Sequence, residues 1–315
     1  MENKTALITG GSGYLGSHLA KKLYNENWNV IVFDKVKPNH QYHNSYHVGD
    51  IRDRASLNYV FGLHKIDTVF HLAGRIEVGL SNIHPTEFWD VNVGGTVTLL
   101  NVMKKFNVEN LVFSSSAAVY WAGNVPIKED ECIINNSVYG NTKHACEMAI
   151  EDSGLNYVIF RYFNLAGADP EGTLGEVHEP ETHLIPVIFE KLNSFVINGN
   201  DYKTGDGTCV RDYVHVSDVA DAHFAAANYL TEGKPPVVLN LGTGVGHSVL
   251  EIIQLIEKHL GLEVNYTFGK NRAGDPDKLV ANIDLAKEVL NFEPKHDIIS
   301  ILGTAYAWYK TRIKR

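Results

Sequence analysis

Two residues four positions apart, Tyr139 and Lys143, carry side chains that can move a proton. They stand in the stretch SVYGNTKHA, and on a helix residues at this spacing share one face. A phenol with its ordinary pKa of about 10 is a poor base at neutral pH. Because a neighbouring ammonium favours the phenolate, the pair is predicted to act as a general base with its electrostatic partner.

Three serines precede this pair, at the end of the apolar run NLVFSSS. Ser114, Ser115 and Ser116 would lie at the carboxyl end of a strand, where ligands bind in open α/β sheets. A serine hydroxyl there can bridge a substrate oxygen and Tyr139. Each motif alone is commonplace, but their order behind a glycine-rich turn favours a catalytic site.

The glycine-rich turn is ITGGSGYLGSHLA, residues 8–20. Gly10, Gly13 and Gly16 have the spacing G-x-x-G-x-x-G, and Gly11 with the last two gives G-x-G-x-x-G. The segment follows a predicted strand and opens a predicted helix. Such glycines let the backbone approach a diphosphate, and the helix N-terminus supplies unpaired N–H groups. This context predicts a dinucleotide site.

An acidic residue specifies the dinucleotide. Asp34 ends the next run, NVIVFD, where this fold places a carboxylate on the adenosine ribose. It would repel a 2′-phosphate, so NAD is predicted rather than NADP. Asp50 and Ile51, in VGDIRD, are expected to flank the adenine, and Lys143 can also hold the hydroxyls of the nicotinamide ribose.

Composition excludes several classes of protein. The 315 residues carry a net charge of −9, which argues against a nucleic-acid surface. No leader pattern opens the chain, and no apolar run approaches the roughly 20 residues of a membrane helix. We expect a cytoplasmic location and no membrane partner.

No metal is expected. The three cysteines have no zinc-binding spacing and are interpreted as reduced thiols. The 15 histidines are scattered, and HNSYH, residues 43–47, is predicted to be a surface loop without an acidic ligand set.

Short apolar runs alternate with helical segments through the first half of the chain. The predicted strands are 5–9, 29–34, 67–73, 110–116 and 156–163, and the predicted helices include 14–27, 86–106 and 138–153. Apolar runs of this kind suit strands buried on both faces. The fold class is therefore α/β, a Rossmann-type doubly wound parallel sheet with a smaller C-terminal α/β domain.

The expected domain boundaries follow from where this alternation stops. Residues 1–164 would form the NAD-binding domain, and 210–230 would return to it. Residues 165–209 and 231–315 would form the smaller domain. Loops and one helix near 184–193 are expected in 165–208, and GTGVGHSVLEII, residues 242–253, is interpreted as a turn and a helix start capped by Ser248.

The chain resembles the extended short-chain dehydrogenase/reductase superfamily, and within it the UDP-glucose 4-epimerases. The resemblance covers nearly the whole chain. It is carried by TGGSGYLG, HLAG, VNVGGT, FSSSAAVYW, YGNTK, RYFNLAGADPEG, GDGTCVRDYVHVSDVADAH, LNLGTGVGHSVLEII and NRAGDPDKL. It implies an NAD-dependent epimerase acting at C4 of a UDP-hexose through a 4-keto sugar, and a homodimer paired near 86–106 and 138–153.

The resemblance also implies roles for individual residues. Tyr139 would be the catalytic base, Lys143 its tuning partner and Ser116 the proton bridge. At the NAD site the resemblance implies the residues already named, which are Gly10, Gly13, Gly16, Asp34, Asp50, Ile51 and Ser114. It adds Tyr14, Leu15, Leu72, Ala73, Gly74, Asn92 and Phe163. Those implied at the UDP-sugar site of the smaller domain are Asn164, His183, Leu184, Ile197, Asn198, Arg211, Arg272 and Asp275. Arg211 and Arg272 can each grip a diphosphate in a bidentate manner.

Some positions depart from the usual epimerase pattern. Arg75-Ile76 stands where Leu-Lys is usual, so a lysine near the cofactor is missing. Trp121 replaces a glycine, and His183 replaces a common asparagine. Leu279 occupies the position that limits pocket size, and its intermediate bulk leaves the acceptance of N-acetylated sugars open.

Three alternatives to the UDP-glucose reaction are considered. The substrate could instead be a UDP-N-acetylhexosamine or a UDP-pentose. A nucleotide-sugar 4,6-dehydratase needs an Asp-Glu pair after the serine, and Ala117-Ala118 stands there instead. A non-catalytic NAD-sensing protein has no need of Tyr139, Lys143 and Ser116 together.

Overall fold

A computed structural model describes residues 3–120, 125–131, 133, 137–272 and 275–313. Trp121 and Cys132 lie outside the described residues. The chain separates into two compact units. Unit 1 comprises Met1–Val119, Ile133–Arg161 and Val219–Leu239, and unit 2 comprises Tyr120–Cys132, Tyr162–Asp218 and Asn240–Arg315.

The described residues form thirteen strands and eleven α-helices, and strands and helices alternate through unit 1. The strands are β1 (Thr5–Thr9), β2 (Asn29–Asp34), β3 (Ser45–Val48), β4 (Thr68–His71), β5 (Asn110–Ser116), β6 (Asn156–Tyr162), β7 (Asn164–Ala166), β8 (Phe195–Asn198), β9 (Val210–His215), β10 (Val237–Leu241), β11 (Gly246–Ser248), β12 (Tyr266–Gly269) and β13 (Lys278–Leu279). The helices are α1 (Tyr14–Asn25), α2 (Arg54–Leu63), α3 (Val78–Ser81), α4 (Pro85–Phe88), α5 (Gly95–Lys105), α6 (Val138–Glu151), α7 (Leu184–Glu190), α8 (Val216–Thr231), α9 (Val249–Leu260), α10 (Asp284–Leu290) and α11 (Ile298–Ile313).

A seven-stranded sheet, almost entirely in unit 1, has the order β10-β6-β5-β4-β1-β2-β3. The pairs β1–β2, β1–β4, β2–β3 and β4–β5 are parallel, and Thr5 lies opposite Asn29 in the register of β1 and β2. All five residues of β1 are buried, as expected for a strand covered by helices on both faces. This confirms the predicted doubly wound sheet. Its strand order reverses between β1 and β4, which opens a crevice beyond their carboxyl ends.

Several predicted boundaries differ from the structure. The helix expected over 86–106 is interrupted: α4 is followed by a π-helical turn, Trp89–Gly94, and then by α5. The prediction of a surface loop over 43–47 is wrong, because β3 begins at Ser45 and pairs with β2. The polar sequence SYHV hides this strand, since an edge strand needs no continuous apolar run. Strand β8 lies in the segment 165–208, where loops and one helix were expected.

Unit 2 is built around β9, which pairs in parallel with β7 and β13 and antiparallel with β11. A separate parallel pair joins β12 to β8. The apolar core contains Ile188, Ile252, Ile256, Ile301 and Leu302, all fully buried. Ser248 caps α9 as predicted, and its hydroxyl accepts from the Glu251 N–H in a capping box.

The segment 210–230, expected to return to the first domain, is divided between the units. Strand β9 belongs to unit 2, and most of α8, from Val219 onward, belongs to unit 1. The assignment of NAD binding and UDP-sugar binding to separate domains stays a prediction. Within the described residues, no helix combines the length and the apolar character needed to cross a bilayer.

A buried ion pair holds α6 against β6 in unit 1. Arg161 Nη2 lies 2.7 Å from Glu147 Oε2, and Arg161 Nε donates to Glu147 Oε1 at 3.1 Å. The two side chains are 5% and 1% exposed. Removing one partner of such a pair leaves an uncompensated charge in the interior.

We expect Arg161→Met to lower the free energy of unfolding by about 3–5 kcal/mol, because Glu147 would stay buried without its cation. The measurement is urea unfolding followed by circular dichroism. Glu26→Gln is the matched control: Glu26 pairs with Lys22 at 3.0 Å on the surface, and such pairs contribute about 1 kcal/mol or less. A loss for Arg161→Met no larger than that of the control would contradict the assignment.

Candidate active site

The glycine-rich turn joins the carboxyl end of β1 to the start of α1. Gly10 has φ +75°, and a Cβ there would lie 2.7 Å from the backbone nitrogen of Ala73. A Cβ on Gly16 would lie 2.1 Å from the carbonyl oxygen of Gly10. Gly13 is the N-cap of α1, and no side chain caps the helix. The N-terminal N–H groups at Tyr14 and Leu15 therefore suit the phosphates of a dinucleotide.

Asp34 lies at the carboxyl end of β2, beside this turn. Its Oδ2 accepts from the Ser12 N–H at 3.0 Å, and its Oδ1 accepts from the Val36 N–H at 3.2 Å. A carboxylate oxygen has two acceptor positions. Each oxygen therefore keeps one position for a ribose hydroxyl, and the residues present fit NAD.

The segment after β4, Leu72-Ala73-Gly74, is held by Asn92 of the π-helical turn. The Asn92 amide accepts from the Arg75 N–H at 2.8 Å and donates to the Arg75 carbonyl at 3.2 Å and to Thr142 at 3.0 Å. A Cβ on Gly74 would lie 3.7 Å from Lys143 Nζ. These residues of the predicted NAD site thus meet Lys143 at one edge of the sheet.

Lys143 carries its ammonium into the interior of unit 1. Its side chain is buried, and Nζ donates to the carbonyl oxygen of Ser114 at 2.8 Å. Nζ also lies 5.0 Å from the ring centroid of Phe113 and 5.9 Å from that of Tyr139. Burial lowers the pKa of Lys143, and the nearby Cys146 and Glu147 oppose that shift.

Tyr139 lies one turn earlier on α6 and is 7% exposed. Its backbone N–H donates to the fully buried Ser81 Oγ at 3.0 Å, and its phenol hydrogen-bonds the hydroxyl of Ser116. Ser116 Oγ also accepts from the Ala118 N–H at 3.1 Å. The predicted catalytic residues Tyr139, Lys143 and Ser116 are therefore neighbours.

The electrostatics of Tyr139 differ from the sequence expectation. Burial raises the pKa of Tyr139 to about 12, and the bond from Ser116 opposes this only in part. The ammonium of Lys143 is thus insufficient by itself to make a phenolate at neutral pH. With this raised pKa, the phenol of Tyr139 keeps its proton at neutral pH. A further positive charge beside it is needed to favour the phenolate.

Asp50 and Ile51, which are predicted to flank an adenine, contact other side chains in this structure. Arg52 and Lys35 hold the pKa of the Asp50 carboxyl well below its usual range. Ile51 is buried, and a Cβ on Gly95 would lie 2.4 Å from its side chain. Their contact with an adenine stays a prediction.

Four of the predicted UDP-sugar residues form two pairs in unit 2. Arg211 Nη2 lies 2.9 Å from Asp275 Oδ1, and the side-chain amide of Asn198 accepts from Arg272 Nε at 3.0 Å. Asp275 and Arg272 are further linked by a backbone hydrogen bond of 3.2 Å. Arg211 is 8% exposed, so its pair with Asp275 is not a surface ion pair.

Arg211 is incompletely satisfied. Nη1 donates to the Val210 carbonyl at 2.8 Å. Nη2 is buried and makes no well-directed hydrogen bond within the described part of the chain, despite its short distance to Asp275. Because Nη2 carries two hydrogens, it has a donor left for an anionic ligand beside its ion pair with Asp275.

The remaining predicted residues are spread over unit 2. Ile197 is buried in β8 beside Asn198, and Asn164 begins β7 opposite Tyr213. His183 is the N-cap of α7, which starts at Leu184. Phe163 is buried, and its ring lies 6.4 Å from that of Tyr120.

The departures from the epimerase pattern have local explanations where they are described. The guanidinium of Arg75 pairs with Glu87 and lies 5.0 Å from the ring centroid of Phe88, so it supports the fold around Asn92. Leu279 of β13 lies opposite Arg211 of β9. Ile76 is exposed and Ala117 is buried.

Sequence reasoning missed three residues of the site. Glu147 Oε1 accepts from the hydroxyl of Ser115, next to the carbonyl that binds Lys143. Ser81 and Thr142 fix Tyr139 and Asn92 as described above. One of the three, Glu147, could have been found from the sequence. It lies four residues after Lys143, so both side chains share one face of α6.

Comparison with known proteins agrees with this geometry. Residues 6–242 match the family described as "NAD dependent epimerase/dehydratase family". The UDP-glucose 4-epimerase of Rhizobium meliloti (strain 1021) is 43% identical over 324 residues, which is 99% of each chain.

Solved structures give the same result. The UDP-glucose 4-epimerase of Brucella ovis in complex with NAD is 39% identical, with a TM-score of 0.92 and coverage of 96% of this chain and 97% of that one. The enzyme of Stenotrophomonas maltophila, with bound NAD and formylated UDP-arabinopyranose, is 34% identical, with a TM-score of 0.94 and coverage of 99% of both chains. The resemblance inferred from the motifs is confirmed, and this chain belongs to the NAD dependent epimerase/dehydratase family, among the UDP-glucose 4-epimerases.

Proposed function

We propose that this protein catalyses NAD-dependent epimerisation at C4 of a UDP-hexose, interconverting UDP-glucose and UDP-galactose through a transient 4-keto sugar. The observation that carries the proposal is the meeting of buried Tyr139 and Lys143 with half-buried Ser116. These residues lie at the carboxyl edge of a doubly wound sheet, where this fold binds its ligands.

The NAD site is supported by the uncapped start of α1, by Asp34 and by the segment around Gly74. Bound NAD takes up a hydride and returns it, so that no external reductant is consumed. Lys143 would hold the nicotinamide ribose, since its ammonium has two donors besides the one bonded to Ser114. Asn92 keeps the backbone after β4 in place.

Tyr139 is the base of the proposed reaction. As a phenolate it would take the proton of the C4 hydroxyl while the hydrogen on C4 leaves as hydride. Ser116, already bonded to the phenol, would hold the same substrate oxygen and guide that proton. When the hydride returns to the opposite face of C4, Tyr139 returns the proton, and the enzyme ends as it began.

Burial of these groups serves the same chemistry. Tyr139, Lys143 and Ser114 are all at most 7% exposed. Electrostatic interactions are stronger where water is absent, and a dry site protects a reactive ketone from side reactions.

Unit 2 supplies groups suited to the UDP moiety. Arg211 and Arg272 carry planar guanidiniums that match a diphosphate, and Nη2 of Arg211 has a further donor for it beside the ion pair with Asp275. The hexose has to turn over between the two hydride transfers. A firm hold on the diphosphate and a loose hold on the sugar would permit that turn.

Leu279 leaves a UDP-N-acetylhexosamine or a UDP-pentose as alternative substrates. A 4,6-dehydratase is disfavoured because Ala117 and Ala118 cannot supply its acid and base. A sensor of NAD is disfavoured because it would not require the bonded Tyr139 and Ser116.

We further propose a homodimer formed through the helices near 86–106 and 138–153. Large apolar side chains are exposed there: Trp89, Val97 and Met148 are 44%, 42% and 53% exposed. Exposure of large apolar side chains on these helices supports association. Sedimentation of the purified chain as a monomer at micromolar concentration would refute this proposal.

A cytoplasmic location is proposed as well. The thiols of Cys146 and Cys209 are free and buried, which suits a reducing compartment. Recovery of the native protein mainly from a compartment outside the cytoplasm in cell fractionation would refute it.

Tyr139→Phe is expected to lower the conversion of UDP-galactose to UDP-glucose by about 10²–10⁴-fold, because it removes the group that moves the proton. Turnover is measured by chromatography without added reductant, and NAD retention by absorbance of the released nucleotide. Tyr59→Phe is the control, since Tyr59 is 63% exposed. Full turnover by Tyr139→Phe would contradict the proposal. A wild-type product that is lighter than the substrate by one water would indicate a dehydratase.

The pKa of Tyr139 is expected to depend on NAD. Because burial raises this pKa to about 12, the phenol of NAD-free protein stays protonated until strongly alkaline pH. The positive nicotinamide ring favours the phenolate, so its ionisation should move to lower pH when NAD binds. Ultraviolet difference titration of the wild type against Tyr139→Phe measures this shift. Ionisation near pH 10 or below in NAD-free protein would contradict the burial argument.

Arg211→Gln is expected to weaken UDP binding by about 10–100-fold, since it removes a charged hydrogen bond to an anion. Titration calorimetry with UDP measures the affinity. Lys258→Gln, a change of the same charge on the exposed face of α9, is the control. Equal affinity of Arg211→Gln and the wild type would remove Arg211 from the site.

A further inference from the structure

Four side chains converge on one short loop of unit 2, before α7. Glu176, His178, Glu181 and His183 each offer a ligand atom, and these atoms all lie within 4.8 Å of one another. They occur in the sequence EVHEPETH. We call these four residues the His–Glu cluster.

We propose that the His–Glu cluster is a binding site for one divalent transition-metal ion, with Zn²⁺ as the probe. This site shares His183 with the proposed UDP-sugar site and lies in a chain for which the sequence predicted no metal.

The donor set fits such an ion. Zn²⁺ is bound in proteins by imidazole nitrogens and carboxylate oxygens, usually four in a tetrahedral arrangement. Two histidines and two glutamates supply four donors of these kinds. Two carboxylates also balance the charge of one dication when both imidazoles are neutral.

The contacts show that the donor atoms face one another. Nδ1 of His178 lies 3.1 Å from Glu176 Oε1 and 3.7 Å from Glu181 Oε1. Nδ1 of His183 contacts the same Glu176 oxygen. Both histidines therefore turn the same ring nitrogen inward.

Glu181 provides an independent observation. Its side chain is 3% exposed, and its Oε1 accepts from the N–H groups of Thr182 at 2.8 Å and His183 at 2.9 Å. Its Oε2 is buried and accepts no hydrogen bond from the described residues. A buried carboxylate oxygen without a partner is costly, and a bound cation would remove that cost.

The backbone of the loop is fixed by α11. Trp308 Nε1 donates to the Glu176 carbonyl oxygen at 3.0 Å. The same indole packs so closely on Gly175 that a Cβ there would lie 2.3 Å from the ring. At the other end, His183 is the N-cap of α7. Ligands on a backbone held at both ends are positioned before a metal arrives.

Protons compete with a metal for this cluster, because imidazole and carboxylate groups bind a metal only when they are deprotonated. The affinity for a metal should therefore rise with pH.

The test measures metal binding directly, because His183 also has a role in the proposed function. Full-length protein with its NAD and without an affinity tag is treated with a chelator and dialysed against Zn²⁺ at about pH 6 and about pH 8. Bound metal is counted by atomic spectroscopy, and the affinity is obtained by competition with a chromogenic chelator. His178→Gln and Glu181→Gln remove one donor each. His247→Gln is the control, since His247 forms a separate pair with Glu251 at 2.9 Å in the same unit.

We expect one Zn²⁺ per wild-type chain, with tighter binding at the higher pH. His178→Gln and Glu181→Gln should each bind at least about tenfold more weakly, and His247→Gln should bind as the wild type does. Wild-type protein that takes up no stoichiometric Zn²⁺, or donor variants that keep wild-type affinity, would overturn the site.

Co²⁺ provides a readout that needs no variant to fold. Wild-type protein with one equivalent of Co²⁺ should show the intense visible absorption of tetrahedral coordination. The weak spectrum of hydrated Co²⁺ would overturn the proposal. Failure of UDP-galactose turnover with intact metal binding would refute the proposed function alone, so the two proposals can fail separately.

Discussion

The contact between Lys143 and the carbonyl oxygen of Ser114 determines the geometry of the catalytic unit. It brings α6 onto the carboxyl end of β5, so that Tyr139 and Ser116 meet. A buried ammonium is tolerated only with compensating charge. Glu147, one turn later on α6, provides that charge and also accepts from Ser115. Arg161 of β6 forms an ion pair with the same carboxylate, so Glu147 lies between two cations. A continuous buried network therefore joins the strand, the helix and the catalytic side chains.

The same burial has an opposite effect on the base. It keeps the phenol of Tyr139 protonated, although the proposed reaction needs a phenolate. The positive ring of oxidised NAD would reverse this preference, and the ring loses that charge when it holds a hydride. Tyr139 would then be ionised before hydride transfer and would hold its proton after it. Proton and hydride transfer would thus be coupled electrostatically, which suits a reaction that must run in both directions.

The sequence predicted the parts of the molecule that local patterns determine. Buried parallel strands read as continuous apolar runs, and a glycine-rich turn between strand and helix has a recognisable spacing. Strand β3 was missed because an edge strand can be polar. Glu147 was missed because its partners, Ser115 and Arg161, lie far from it in the sequence. The His–Glu cluster was missed because its donors come together only through the path of a loop, which spacing does not reveal.

Among the buried polar atoms of unit 2 that make no hydrogen bond within the described residues, two belong to groups of opposite charge. Nη2 of Arg211 is a cationic donor without a well-directed acceptor, and Oε2 of Glu181 is an anionic acceptor without a donor, in the described part of the chain. The guanidinium of Arg211 and the carboxylate of Glu181 have opposite charges and could in principle pair with each other. They belong instead to separate clusters, one with Asp275 and one with His178 and His183. Two ligands of opposite charge, a diphosphate for the first cluster and a dication for the second, account for both atoms with one physical argument: a buried charge is retained where binding completes it.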